Sequence, residues 1–244
     1  MGPTRCRAHV VSRVTMCALA ALLSAAPAAA QPQLEHGREL YAEGCISCHG
    51  LDGRGRPGTA PSLREAGAAS ADLYLTTGYM PLDDPRQTPK PRQPLYTPRE
   101  IDALVAYVDS LGDGPPIPDV RPERGDLAEG REAFTTYCAG CHQVVARGGV
   151  VLDGVAPPLV HSTPTQIGEA IRVGPYLMPR FGESEISDAT IDSIARYVEY
   201  ARQPRDDGGW GIGHVGPIPE GFIAWIVAGV ALVAVARTIG KRIA

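Results

Sequence analysis

Gly44-Cys45-Ile46-Ser47-Cys48-His49-Gly50 organises this chain, and its pattern returns at Cys138-Ala139-Gly140-Cys141-His142. Two thiols separated by two residues stand about one helical turn apart, so both can add to the vinyl groups of a single porphyrin. The histidine that follows places its imidazole under the iron. Cys-x-x-Cys-His is thus the attachment pattern of c-type haem. A bare Cys-x-x-Cys also serves zinc ribbons and redox disulfides. Here the two pairs stand 93 residues apart and each carries a histidine at the next position. No βαβ pattern surrounds either pair, so zinc and dithiol chemistry fit less well.

The 244 residues leave room for two small domains plus extra segments. With 23 prolines and 28 glycines against three phenylalanines, the composition describes many loops and small cores. A domain of roughly 80 residues buries little apolar surface by itself, and a covalently held porphyrin supplies the missing core. Of the six cysteines, Cys6 and Cys17 lie near the N-terminus and the other four belong to the two motifs, so none is left for a structural disulfide. This usage fits an exported protein, since haem is attached to c-type apoproteins outside the cytoplasm.

Residues 1–30 read as a signal peptide, or else as an N-terminal anchor. Arg5, Arg7 and Arg13 precede the apolar run 14–23, and Ala28-Ala29-Ala30 fits a small-residue cleavage site. Cys17 lacks the small residue expected just before a lipidated cysteine. At the other end, 222–236 is fifteen residues without a polar side chain. Extended through Ile239 it spans about 27 Å at ~1.5 Å per residue, which suits the hydrocarbon thickness. We expect a transmembrane helix over 221–239 and a cytoplasmic tail over 240–244. Arg237, Lys241 and Arg242 place the C-terminus in the cytoplasm and the rest of the chain outside. Setting aside these six terminal bases leaves 17 of the 23 basic residues against 27 acidic ones. So acidic a body argues against nucleic acid and suits either docking to basic surfaces or simple solubility.

Between the ends the chain repeats itself. Gly37-Arg38-Glu39-Leu40-Tyr41 through His49 matches Gly130-Arg131-Glu132-Ala133-Phe134 through His142. Farther on, Ile101-Asp102-Ala103-Leu104 matches Ile191-Asp192-Ser193-Ile194. Two copies of one fold follow, over 31–112 and 128–203, each with a helix, a haem motif, a long loop, a short helix, a methionine loop and a final helix. Thr97-Pro98-Arg99-Glu100 reads as a capping box, with Ile101, Leu104, Val105, Val108 and Leu111 on the buried face and Gly112 at the end. The earlier short helix is expected over 71–77. Residues 82–98 form a Pro-rich surface loop, 113–127 a semi-rigid Pro-rich linker and 204–220 a juxtamembrane connector.

Once the leader is set aside, Met80 and Met178 are the only methionines, 31 and 36 residues beyond the motif histidines and each followed by proline. One methionine in the matching loop of each repeat is too orderly for gap-filling. The iron ligands are therefore His49 with Met80 and His142 with Met178. Histidine–methionine ligation raises the reduction potential and closes the iron, which serves electron transfer and argues against peroxidase chemistry. Arg172 and Arg180 are candidate partners for the haem propionates. His36, His161 and His214 read as surface or loop residues.

Two Cys-x-x-Cys-His/Met repeats, the Met80 loop, and Gly208-Gly209-Trp210-Gly211-Ile212-Gly213 through Gly216-Pro217 and Glu220-Gly221 ahead of one span make a distinctive order of parts. In these it resembles the dihaem cytochrome c subunit of the actinobacterial-type menaquinol–cytochrome c reductase, the cytochrome bc complex. The resemblance runs from residue 35 onward. It implies an all-α chain of two tandem class I cytochrome c domains and one C-terminal transmembrane helix, with two covalently bound haem c held by Cys45, Cys48, Cys138 and Cys141. It also implies an electron-transfer subunit without substrate chemistry of its own, resident in the cell membrane with cytochrome b and the Rieske iron–sulfur protein. Electrons would pass from the Rieske protein to a haem–copper terminal oxidase held in the same supercomplex.

Three other functions remain for comparison. A dihaem electron-entry subunit of a haem–copper oxidase usually carries its anchor before the haem domains. A dihaem peroxidase needs an open or histidine-switched iron, and a haem sensor needs an output domain that the short tail does not supply. We further expect the loop 82–98 and the connector 204–220 to be docking elements, the connector through Trp210, Ile212 and Ile218.

Overall fold

Short polar side chains mark where four of the described helices begin. In the computed structural model, which describes residues 30–84, 89–152, 154–203 and 217–243, Thr97 accepts from the Glu100 backbone N–H while the Glu100 carboxylate accepts from that of Thr97. This reciprocal cap satisfies two donors that a helix start leaves unpaired. Thr163 and Gln166 repeat it, and Asp126 and Ser187 cap two further helices. The described helices are α1 (Ala30–Gly44), α2 (Ile46–His49), α3 (Gly67–Thr76), α4 (Pro98–Asp109), α5 (Leu127–Tyr137), α6 (Ala139–His142), α7 (Pro164–Val173), α8 (Asp188–Arg202) and α9 (Pro217–Ile243), and the caps named above begin α4, α5, α7 and α8. Strands β1 (Gly149–Val151) and β2 (Gly154–Ala156) pair antiparallel, with Val150 opposite Val155. The chain is mostly helical, and the expectation of an all-α fold missed this hairpin.

Each repeat builds its own core. Tyr41, Leu75, Ile101, Leu104, Val105 and Val108 form the first. Phe134, Ile167, Ile171, Ile191, Ile194 and Val198 form the second. In both, the opening helix crosses the closing helix at backbone contact. A Cβ on Gly37 would stand 1.9 Å from the Ala103 carbonyl oxygen, and one on Gly130 1.9 Å from that of Ser193. Only glycine permits such an approach.

Two boundaries in the first repeat differ from expectation, and at the C-terminal end the helix runs over Pro217–Ile243, beyond the expected 221–239. The first repeat's short helix starts at Gly67 rather than 71, because Asp109 accepts from the Ala68 N–H at 3.1 Å and Pro115 from that of Ala69 at 3.0 Å. Those partners come from α4 and from the linker. At the far end, α4 stops at Asp109, before Gly112, which serves a close approach instead: a Cβ there would lie 2.1 Å from the Arg64 carbonyl oxygen.

The linker is strapped to both repeats. Beyond the Pro115 bond to α3, a Cβ on Gly168 of α7 would meet Val120 at 2.5 Å and Pro118 at 2.9 Å. Buried Asp192 of α8 accepts from the Arg121 N–H at 2.7 Å and from Arg124 Nε at 3.0 Å. These contacts hold the linker against both repeats.

Gly221–Lys241 of α9 is long and apolar enough to cross a membrane, and none of it is buried. Its 21 residues reach about 31 Å at ~1.5 Å each. The leader up to residue 29, residues 85–88 of the Pro-rich loop, and 204–216 of the connector with Trp210, Ile212 and His214 lie outside the described residues.

Candidate haem sites

Helix α1 delivers the first motif by continuing its hydrogen bonding into it. The Cys45 N–H donates to the Tyr41 carbonyl and the His49 N–H to that of Cys45, both at 2.9 Å. In the second repeat the Cys138 N–H donates to Phe134 at 2.8 Å and the His142 N–H to Cys138 at 2.9 Å. All four motif cysteines are free thiols. Burial pushes the Cys45 thiol up to about 11, with Cys48 adding to the effect, and the Cys138 thiol up to about 12, with Cys141 adding. A redox-active Cys-x-x-Cys shows the reverse, a lowered thiol. Among the described residues no three of His, Cys, Asp and Glu gather into a metal cage.

The histidine rings are fixed from the far side of each long loop. His49 Nδ1 lies 3.0 Å from the Pro61 carbonyl oxygen, and His142 Nδ1 3.0 Å from that of Pro157. A carbonyl only accepts, so Nδ1 carries the proton and Nε2 keeps its lone pair. Burial lowers both histidines below their ordinary value, and the same carbonyls partly oppose it. A neutral imidazole with a committed Nδ1 and an open Nε2 is what an axial position on haem iron requires.

Equivalent glycines place the two carbonyls. The Gly55 N–H bonds the His49 carbonyl at 2.8 Å, and the Gly148 N–H bonds that of His142 at 3.0 Å. Both are left-handed, at φ 77° and 71°, and a Cβ would come within 2.5 Å of Pro61 in one and 2.7 Å of Pro157 in the other. Between glycine and proline the second loop is three residues longer, and the β1–β2 hairpin takes up the excess. Sequence reading missed these prolines because the repeat aligns the glycines but slips before the prolines.

A tyrosine hydroxyl also braces each motif, from different helices. Tyr41 of α1 donates to the Gly50 carbonyl at 2.8 Å, while in the second repeat Tyr197 of α8 donates to Val144 at 2.8 Å. The rings pair across the helix crossing in both, Tyr41 with Tyr107 at 5.0 Å and Phe134 with Tyr197 at 5.2 Å. The ring pair is kept and the hydroxyl has changed helix.

Each candidate methionine stands on the core of its own motif. Met80, half-buried, packs against the first core along with Cys45 and Leu63, and its N–H donates to the Tyr74 carbonyl at 3.0 Å. Met178, also half-buried, packs against the second core, to which Cys138 belongs, and its N–H donates to Pro175 at 3.0 Å. Arg172, by contrast, is occupied elsewhere. It donates to the Phe181 and Ile186 carbonyls at 3.2 and 2.7 Å and to Asp188 at 2.5 Å, and so braces the Met178 loop. Arg92 does the matching task for the Met80 loop, donating to Asp83 at 2.7 Å and to the Pro81 carbonyl. His36 faces Glu39 at 3.8 Å on the surface, and His161 is exposed.

Comparison with known proteins follows the same division. Residues 34–112 match the cytochrome c family model, and 125–198 match that of cytochrome c oxidase, cbb3-type, subunit III. The chain is 36% identical over 219 residues to the cytochrome bc1 complex cytochrome c subunit of Mycobacterium bovis, covering 86% of this chain and 78% of that one. With the subunit of the same name from Corynebacterium diphtheriae it shares 33% over 230 residues, covering 87% and 82%. A cbb3-type cytochrome c oxidase subunit CcoP of Azospirillum sp. is 32% identical over 187 residues, covering 66% of this chain and 60% of that one.

Proposed function

Because the chain belongs to the family of cytochrome bc1 complex cytochrome c subunits, we propose that it is the dihaem electron carrier of a respiratory menaquinol–cytochrome c reductase. It takes electrons from the Rieske iron–sulfur protein and passes them to a haem–copper oxidase. The observation that carries this reading is the duplicated constellation. Twice, a Cys-x-x-Cys-His turn has its histidine set by a proline carbonyl at 3.0 Å and a methionine on the same core.

The haems, when bound, supply a one-electron ferric/ferrous couple. Cys45 with Cys48 and Cys138 with Cys141 hold them by thioether bonds. His49 and His142 would bind the irons through Nε2, with Pro61 and Pro157 keeping each ring in the required tautomer and orientation. Met80 and Met178 would supply the second ligand to each iron, which would exclude small molecules and raise the potential. The haem domains occupy 31–112 and 128–203, in tandem, joined by the linker 113–127. Helix α9 anchors them, with Arg237, Lys241 and Arg242 on the cytoplasmic side and the domains outside. The loop 82–98, whose Arg92 is bonded to Asp83 and to the Pro81 carbonyl beside Met80, and the connector 204–220 serve docking to cytochrome b and to the oxidase in a supercomplex.

The test is to tag the chain, solubilise the membranes and identify what co-purifies. Cytochrome b and the Rieske protein are expected, with oxidase subunits beside them. Recovery with oxidase subunits alone would support instead an electron-entry subunit of a haem–copper oxidase, and recovery alone with peroxide-reducing activity would exclude both readings.

A further inference from the structure

Three tyrosines meet where the two repeats touch. Tyr74 comes from α3, Tyr79 directly precedes Met80, and Tyr176 lies two residues before Met178. Their ring centroids are 6.4 Å apart for Tyr74 and Tyr79, 5.5 Å for Tyr74 and Tyr176, and 5.3 Å for Tyr79 and Tyr176. All three lie in the range of favourable aromatic contact, and the two pairs at Tyr74 are edge-to-face. The cluster therefore joins the methionine loop of one repeat to that of the other.

Tyr176 reaches its place by an uncommon backbone conformation. Its φ is 53°, in the left-handed region that side chains other than glycine rarely adopt. Such a residue stays there only where its surroundings over-determine it, and its ring contacts on the other repeat do so. Nearby, Gln166 of α7 donates to the Thr76 hydroxyl of α3 at 3.1 Å, a second bond across the same junction. The Tyr74 carbonyl also accepts from the Met80 N–H at 3.0 Å, so the α3 ring and the ligand loop move as one piece.

We propose that the Tyr74–Tyr79–Tyr176 contact is the junction that holds the two haem-bearing repeats at electron-transfer distance, with Tyr176 as its positioning residue. The proposal rests on the dihaem reading above. Electron tunnelling weakens exponentially with the gap between redox groups, and packed atoms carry it better than water. Rings packed between the two methionine loops put side-chain atoms into that gap, although Tyr176 itself is 48% exposed. One electron leaves a ferrous iron in one repeat and reduces a ferric iron in the other, with no proton or further reactant required. The tyrosines act by packing and are not themselves oxidised.

The experiment uses the full chain with both haems, in detergent. A photoexcited dye delivers less than one electron per molecule, and redistribution between the haems is followed by absorption. Pulsed electron paramagnetic resonance of the oxidised protein gives the iron–iron distance. Tyr176→Ala should slow redistribution at least tenfold and lengthen or broaden the distance, with both potentials and methionine ligation retained. Tyr176→Phe keeps the ring and should behave as wild type. Thr76→Val, on a different element, should shift the distance in the same direction. Unchanged rate and distance in both Tyr176→Ala and Thr76→Val would overturn the proposal, and so would a Phe variant as slow as the Ala variant. A wild-type protein with a single haem would instead bring down the dihaem reading itself.

Discussion

At each motif histidine the carbonyl that fixes the ring stands 12 or 15 residues downstream, so residue chemistry is set by loop closure rather than by neighbours in sequence. The bond matters because an imidazole free to turn presents either nitrogen, while one held at Nδ1 presents Nε2 alone. On the opposite side of the iron the thioether sulfur of Met80 or Met178 is the proposed ligand. Replacing either with alanine should remove about half of the methionine-to-iron charge-transfer absorption and lower the potential of one haem, leaving the other unchanged. Redox titration of the two single variants checks this. If both keep the full absorption, the ligands lie elsewhere.

Helix crossings make the next scale. Because α1 meets α4 and α5 meets α8 at backbone contact, the glycine at each crossing sets how near the motif comes to the closing helix. In Gly130→Ala the new methyl group must displace the Ser193 carbonyl, whose helix also carries Ile191, Ile194 and Tyr197. Overpacking of this kind costs typically about 1–3 kcal/mol. The variant should melt earlier and carry less haem in the second repeat, while the first stays normal. Thermal unfolding, together with haem staining of the two proteolytic halves, reads this out. Normal haem in both repeats with unchanged melting would show that the crossing can open without cost. The hairpin β1–β2 illustrates the converse, since its three extra residues are absorbed in a loop and leave both the Gly148 turn and the Pro157 carbonyl in place.

For the molecule as a whole, α3 of the first repeat packs against α7 of the second, and that contact buries a carboxyl. Glu169 of α7 is fully buried, and neither of its carboxylate oxygens has a hydrogen-bond partner of good geometry. Burial, with Asp72 of α3 adding to it, pushes Glu169 up to about 10 from an ordinary 4.5. The folded chain thus keeps a proton that the unfolded chain releases. Stability from this site is full below about pH 4.5 and is lost progressively as pH rises toward 10. Glu169→Gln supplies a neutral amide at every pH. The variant should melt above wild type at pH 8 and close to it at pH 4.5, and the comparison of melting curves checks the sign. A wild-type advantage at pH 8 would mean that Glu169 is ionised in the folded chain.

By itself the sequence determined whatever depends on local spacing and on repetition. The two Cys-x-x-Cys-His motifs, the methionine that follows each, the Thr97–Glu100 cap and the apolar run at the C-terminus are all short-range patterns legible in the residue order alone. The duplication then told which parts correspond. What only the tertiary structure decided is everything formed between segments distant in the chain. The Pro61 and Pro157 carbonyls reach their histidines through loops of unequal length, and Asp109 and Pro115 start α3 from outside it. Arg172 donates to the Phe181 and Ile186 carbonyls, and Tyr74, Tyr79 and Tyr176 become one cluster. A hydrogen bond or ring contact between such segments depends on where a loop's end is delivered in space. That position is fixed by helix crossings and loop closure acting together, and no window of sequence contains both.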